Sequence, residues 1–180
     1  MPVFTPITFE TNPLGMAITM RGEYVTEGAA IYGTDMRVFD PNGKEFTGSP
    51  SAKLPGFDVV VDEACNVLWV SGAVLARGDP VALTGNTVAT YGWVAPSLDV
   101  VPGDGSVWVA ERSYSVGGAI HHYDASGAEI AGDLHSWSAS PFCVRINPHS
   151  GDVWVADSGG ISGIDSTGTV TLIEAYGHDL

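Results

Sequence analysis

Positive charge is scarce in this chain: seven Lys and Arg stand against twenty-one Asp and Glu, a formal net charge of −14. A surface of that sign repels phosphate backbones, and the basic residues form no cluster, so no nucleic-acid partner is expected. An anionic membrane surface is disfavoured for the same reason. No apolar run approaches the ~18 residues that cross a bilayer, so no membrane span is expected. Met1 to Glu10 lacks a basic segment followed by a long apolar stretch. No secretory signal is therefore expected, and the expected location is cytoplasmic synthesis, with assembly into a particle or surface structure. Cysteine is nearly absent; Cys65 and Cys143 have no cysteine-rich surroundings and are expected to be buried free thiols. His-Glu-x-x-His, Cys-x-x-Cys, Gly-x-Ser-x-Gly, a phosphate loop and a dinucleotide fingerprint are all missing, so no catalytic residue is assigned. Long stretches rich in Ala, Glu, Lys and Leu are few, which argues against a helical fold.

Glycine and proline are abundant instead, at 23 and 11 residues, as suits short strands joined by many turns. With 44% hydrophobic and 16% charged residues the chain is a folded domain rather than a disordered tail. One phrase recurs: Val107-Trp108-Val109-Ala110-Glu111 and Val153-Trp154-Val155-Ala156-Asp157, with looser copies at Leu68-Trp69-Val70-Ser71-Gly72 and Glu23-Tyr24-Val25-Thr26-Glu27. The aromatic anchors Tyr24, Trp69, Trp108 and Trp154 lie 45, 39 and 46 residues apart. Prolines at 13, 55, 96 and 141 open the copies at intervals of 42, 41 and 45. A strand-rich period of about 40–45 residues is that of a β-propeller blade. The expected fold is all-β: a propeller of four four-stranded blades, closed alone or completed by self-association.

The expected division is an N-terminal strand or arm over residues 1–12 and a propeller domain over 13–180. Its blades fall at about 13–54, 55–94, 95–139 and 140–177. In the third repeat the four strands are expected at Leu98–Val101, Val107–Ala110, Ala119–Tyr123 and from Ala128 to Ala131. Pro102-Gly103-Asp104-Gly105 and Asp124-Ala125-Ser126-Gly127 supply turn chemistry between them. Asp165-Ser166-Thr167-Gly168 repeats the second of these links, as does Asp40-Pro41-Asn42-Gly43, while Thr84-Gly85-Asn86-Thr87 is expected to replace it in the second repeat. Within the arm, Val3–Thr11 reads as a strand able to lock the ring from its edge, where Pro6 is tolerated. The recurring Trp or Tyr is expected to pack blade against blade.

The pattern Pro-x-x-Val-x-Val-Asp, then Val-Trp-Val-Ala-Asp, then Ile-x-x-Asp-x-x-Gly resembles the NHL-type propeller repeat from about Pro13 to Gly177. Related repeats occur in streptogramin lyases and gluconolactonase-like enzymes. That resemblance implies a propeller and, as one alternative, a small divalent-cation-dependent lyase or lactonase-like enzyme.

Three sets of side chains are candidates for function. Glu27, Glu111 and Asp157 share one repeat position at the start of the loop after the second strand. They could converge on a hard cation such as calcium, or each could cap its own loop. Glu111, Arg112 and Tyr114, with Trp93, His135 and Trp137 on the connections between blades, form a polar and aromatic rim. Such a rim suits a peptide or a sugar ring, which adds a carbohydrate-binding module as a further alternative. His135 with Glu111 is a conceivable acid–base pair. His121 and His122 are neighbours on one strand and point to opposite faces, so they cannot serve one metal. The leading expectation is a non-catalytic scaffold or recognition module in a larger assembly, a surface or virion component included, with a protein partner or self-association.

Overall fold

The computed structural model describes residues 13–18, 24–28, 36–39, 56–79, 84–92, 94–113, 117–130, 135–137, 140–165 and 168–175. The described residues are all-β and form four antiparallel sheets in sequence order. The first holds β1 (Pro13–Ile18), β2 (Tyr24–Gly28) and β3 (Met36–Phe39). The second holds β4 (Gly56–Asp62), β5 (Val67–Gly72), β6 (Val74–Asp79) and β7 (Thr84–Thr90). The third holds β8 (Val94–Val100), β9 (Val107–Arg112), β10 (Gly118–Tyr123) and β11 (His135–Trp137). The fourth holds β12 (Cys143–Ile146), β13 (Val153–Asp157), β14 (Gly160–Ile164) and β15 (Val170–Ala175). Each sheet is a meander whose strands pair in chain order. The segment Val3–Thr11 lies outside the described residues.

Two strand positions differ from the sequence expectation. The outer strand of the third sheet is β11, at His135–Trp137, paired with Gly118–Ile120. Ala128–Ala131 was expected there, but that stretch gives only the single bridge between Tyr123 and Glu129. Thr84–Thr87 is not a link but the start of β7, paired with Ala76–Asp79. The turn chemistry is nonetheless local and strong. Asp124 Oδ1 accepts hydrogen bonds from Ser126 N, Ser126 Oγ and Ala128 N, while Gly127 closes the turn at φ +95°. The Ser126 hydrogen bond, then that from Ala128, hold the Asp124 carboxyl below its ordinary 3.8.

The core lies between successive sheets. The first strand of each sits against the first strand of the next, β1 on β4, β4 on β8 and β8 on β12. Among the described strands, β12–β15 make no comparable packing on β1–β3. Each repeat tryptophan occupies the face turned to the following sheet. Trp69 is fully buried among Leu98, Val107 and Val109, and its Nε1 donates to the Gly105 carbonyl at 3.0 Å. Gly105 is required there: at φ +73°, an added Cβ would sit 2.8 Å from Cys65 Cβ. Trp108 is 8% exposed and packs in a cluster with Val144, Val153 and Val155. Trp154, with no sheet after it, is 47% exposed. The side chain of Tyr24 lies outside the described residues.

Trp69→Ala is expected to lower the unfolding free energy by about 3–5 kcal/mol, as large core truncations do. Trp154→Ala should stay within about 1 kcal/mol of the parent, as for surface changes. Urea unfolding of the two variants measures both.

Candidate functional site

Across the first strands, side-chain oxygens reach from one sheet to the backbone of the next. Asp58 and Ser97 hold the same register position, each two residues before the partner of the repeat tryptophan. Asp58 Oδ2 accepts from Leu98 N at 3.3 Å, and Ser97 Oγ accepts from Val144 N at 3.2 Å. Asp99 Oδ2 adds a bond from Ile146 N at 2.8 Å, and Asp62 Oδ2 one from Gly103 N at 2.8 Å. Arg145 closes the series: its guanidinium donates to Ser97 Oγ at 2.9 Å and lies 3.7 Å from Asp58 Oδ2. Burial is the largest influence on Asp58 and lifts its carboxyl above the ordinary 3.8; the Leu98 amide, then Arg145, pull the other way. A buried acid, a hydroxyl and a half-exposed guanidinium therefore sit together over three consecutive sheets. The sequence reading did not single them out, because Asp58 and Ser97 share a position without sharing a residue type.

A second cluster joins the outer half of the third sheet to the second. Antiparallel pairing of β9 with β10 sets Glu111 opposite Ala119 and Val109 opposite His121. Glu111 and His121 therefore stand diagonally on one face. His121 Nε2 is 2.9 Å from Glu111 Oε2, and Nδ1 is 2.6 Å from Glu129 Oε1. Glu111 Oε1 also accepts from Gly92 N at 3.2 Å. The rings of Tyr91 and Tyr123 lie 5.5 and 6.0 Å from that of His121. Burial raises both phenols, and the charges of Glu111 and Glu129 add to the effect. His122 faces the other way, stacked at 4.2 Å on Trp108 with Nε2 3.1 Å from Ser106 Oγ. This arrangement ties strands together. A carboxylate–imidazole–carboxylate chain gives each imidazole nitrogen an oxygen partner within the fold.

The other expected residues fall as follows. Glu111 pairs with His121, not with His135. His135 and Trp137 lie in β11 rather than on a connection, and their side chains are outside the described residues, as are Trp93 and Tyr114. Arg112 ends β9, opposite Gly118 and Val94. Asp157 caps its own loop, its Oδ1 accepting from Gly159 N at 2.5 Å and Gly160 N at 3.1 Å. Glu27 is paired in β2 with Gly15 and Met36. Among the described residues no group of three or more His, Cys, Asp and Glu is placed to hold a metal ion. Cys65 and Cys143 are free and half-buried rather than buried; burial, then Asp62, pushes the Cys65 thiol up. No helix of the described residues is long and apolar enough to cross a membrane.

The third feature is the outward face of the fourth sheet. There Trp154 stands opposite Gly163, where Trp69 has Arg77 and Trp108 has His122. Gly163 leaves the indole uncovered, and Ile173 lies over that glycine, 3.1 Å from where a Cβ would be. Trp154, Gly163, Thr171 and Ile173 line a shallow depression of about 130 Å³ edged by Asp152 and Asp165. That is smaller than the ~300–1,000 Å³ of small-molecule sites.

Asp58 generates a pH-dependent prediction. A carboxyl raised on folding contributes stability that is fully present below 3.8 and is lost as pH rises through the folded value. The stability of the parent minus that of Asp58→Asn should therefore fall as pH rises from 3.8, measured by urea unfolding at a series of pH values. A flat difference would contradict it.

No family model matches the chain, and no curated protein matches it. Solved structures do. The chain superposes on the nidogen/laminin complex with a TM-score of 0.73 at 9% identity, covering 92% of this chain and 65% of that one. It superposes on Kuenenia stuttgartiensis hydrazine synthase with a TM-score of 0.70 at 15% identity, covering 89% of this chain and 53% of that one. The chain thus spans between half and two thirds of the length of these structures. At such identities the likeness is one of fold, and the fold is β-propeller-like.

Proposed function

We propose that the chain is a non-catalytic propeller-like scaffold that docks protein through the open face of its last sheet, as a component of a larger assembly. The observation that carries this reading is the contrast between equivalent tryptophans: Trp69 is 0% exposed, Trp154 47%. In the second and third sheets that face is covered by the next sheet. In the fourth it offers an indole and Ile173, itself 53% exposed, to solvent. An aromatic anchor in a shallow apolar patch rimmed by acids has the make-up of a protein-binding centre. One of the solved neighbours is by its title a protein complex. In this reading the Glu111–His121–Glu129 chain and the Asp58–Ser97–Arg145 series fasten sheets rather than turn over substrate.

The test is acrylamide quenching of the parent against Trp154→Phe at low protein concentration. The emission lost in the variant is expected to be readily quenched, and to become shielded when a partner is bound. A Trp154 already shielded in the dilute monomer would overturn the reading.

A further inference from the structure

The two ends of the sheet series carry complementary halves of one interface, and we infer that the occupant of the Trp154 face is the first sheet of a second copy of this chain. The inference rests on the docking reading above and names its partner.

The tryptophan face of a sheet meets a fixed set of register positions on the sheet that follows. Trp69 shares a cluster with Leu98 and Val109, which pair across β8 and β9. Trp108 shares one with Val144 and Val155, which pair across β12 and β13. All four of these residues are fully buried. The incoming half of the interface is therefore an apolar pair on the first two strands, next to the row that carries the tryptophan.

In the first sheet those register positions belong to Ala17 and Val25, which pair across β1 and β2. Val38 continues the row on β3, opposite Val25. The row is apolar at every position, as an incoming half must be. No sheet precedes it among the described residues, and none follows Trp154. The chain's own first sheet packs on β4 and not on β12–β15. One copy thus ends on an unfilled tryptophan face and begins with an unused apolar row.

The join between copies continues the established one between sheets, with one difference in its polar part. At the position where Asp58 and Ser97 accept the next sheet's amide, the fourth sheet has Cys143, paired with Ala156. A thiol is a weak acceptor, so the join depends on the apolar contact more than the internal ones do. Such an interface is heterologous, head to tail: two copies close a ring, or more copies extend the series.

Light scattering over a hundredfold concentration range tests this with the full chain. The parent is expected to show twice the monomer mass or more, and Trp154→Glu to raise the dissociation midpoint at least about tenfold, as loss of a central anchor does. Val25→Glu should do the same from the other side; if circular dichroism shows it unfolded, Val38→Glu replaces it. The decisive arm is mixing. Trp154→Glu keeps a sound first sheet and Val25→Glu a sound last one, so an equimolar mixture should recover a dimer that neither forms alone. Failure to recover it, with the parent associating, would overturn the head-to-tail join. A parent that is monomeric throughout, with Trp154 open to quencher, would overturn the second copy as occupant and leave the docking face standing. A monomer with Trp154 shielded would overturn both.

Discussion

The hydrogen bonds that cross from one sheet to the next at the first strands are the constraint on which the rest depends. A meander sheet satisfies its own interior, but its first strand has a neighbouring sheet on one side rather than another strand. Asp58 and Ser97 answer this by presenting an acceptor to the amides of Leu98 and Val144. The bond fixes the lateral offset between sheets, which decides where the tryptophan of one lands on the other. With that offset set, Trp69 can both bury its ring and reach the Gly105 carbonyl. Gly105 in turn can approach Cys65 only because it has no side chain. The apolar contact supplies most of the stabilisation, and the polar contact selects a single way of making it.

Much of the fold was legible in the sequence, because the spacing of Trp69, Trp108 and Trp154 records one position repeated. The all-β, propeller-like character follows from that period with the turn residues. Outer strands were less legible. The Asp124–Gly127 turn predicts a strand immediately after it, at Ala128, yet one bridge forms there and the ladder resumes at His135. Strand propensity cannot distinguish these, since an outer strand is fixed by what it pairs with. Thr84–Thr87 misleads in the opposite way. Gly85 and Asn86 look like a turn, but pairing with Arg77 and Gly78 extends the strand through them.

The site residues were legible only where the repeat itself marked them. Asp157 closes its own loop as a repeated acid can. Glu111, at the same position, does something else, because β10 places His121 diagonally across from it and Glu129 beyond. Nothing in the order of residues links these three; the register of β9 on β10 does. The Asp58, Ser97 and Arg145 series was invisible for a related reason. Its members meet across sheet boundaries, 39 and 48 residues apart in the chain.

Gly163 has an effect that reaches beyond the face on which it sits. Where Arg77 crosses to the Ala125 carbonyl and His122 stacks on its tryptophan, the middle sheets are braced from both sides. The fourth sheet has a glycine there and only one neighbouring sheet. Stability in a series of this kind is a sum of nearest-neighbour terms. The fourth sheet is then the place where thermal opening begins, and strand exchange with solvent spreads from it toward the third. The molecule melts from its last turn inward, and whatever seats itself on Trp154 acts as a clasp on the whole row.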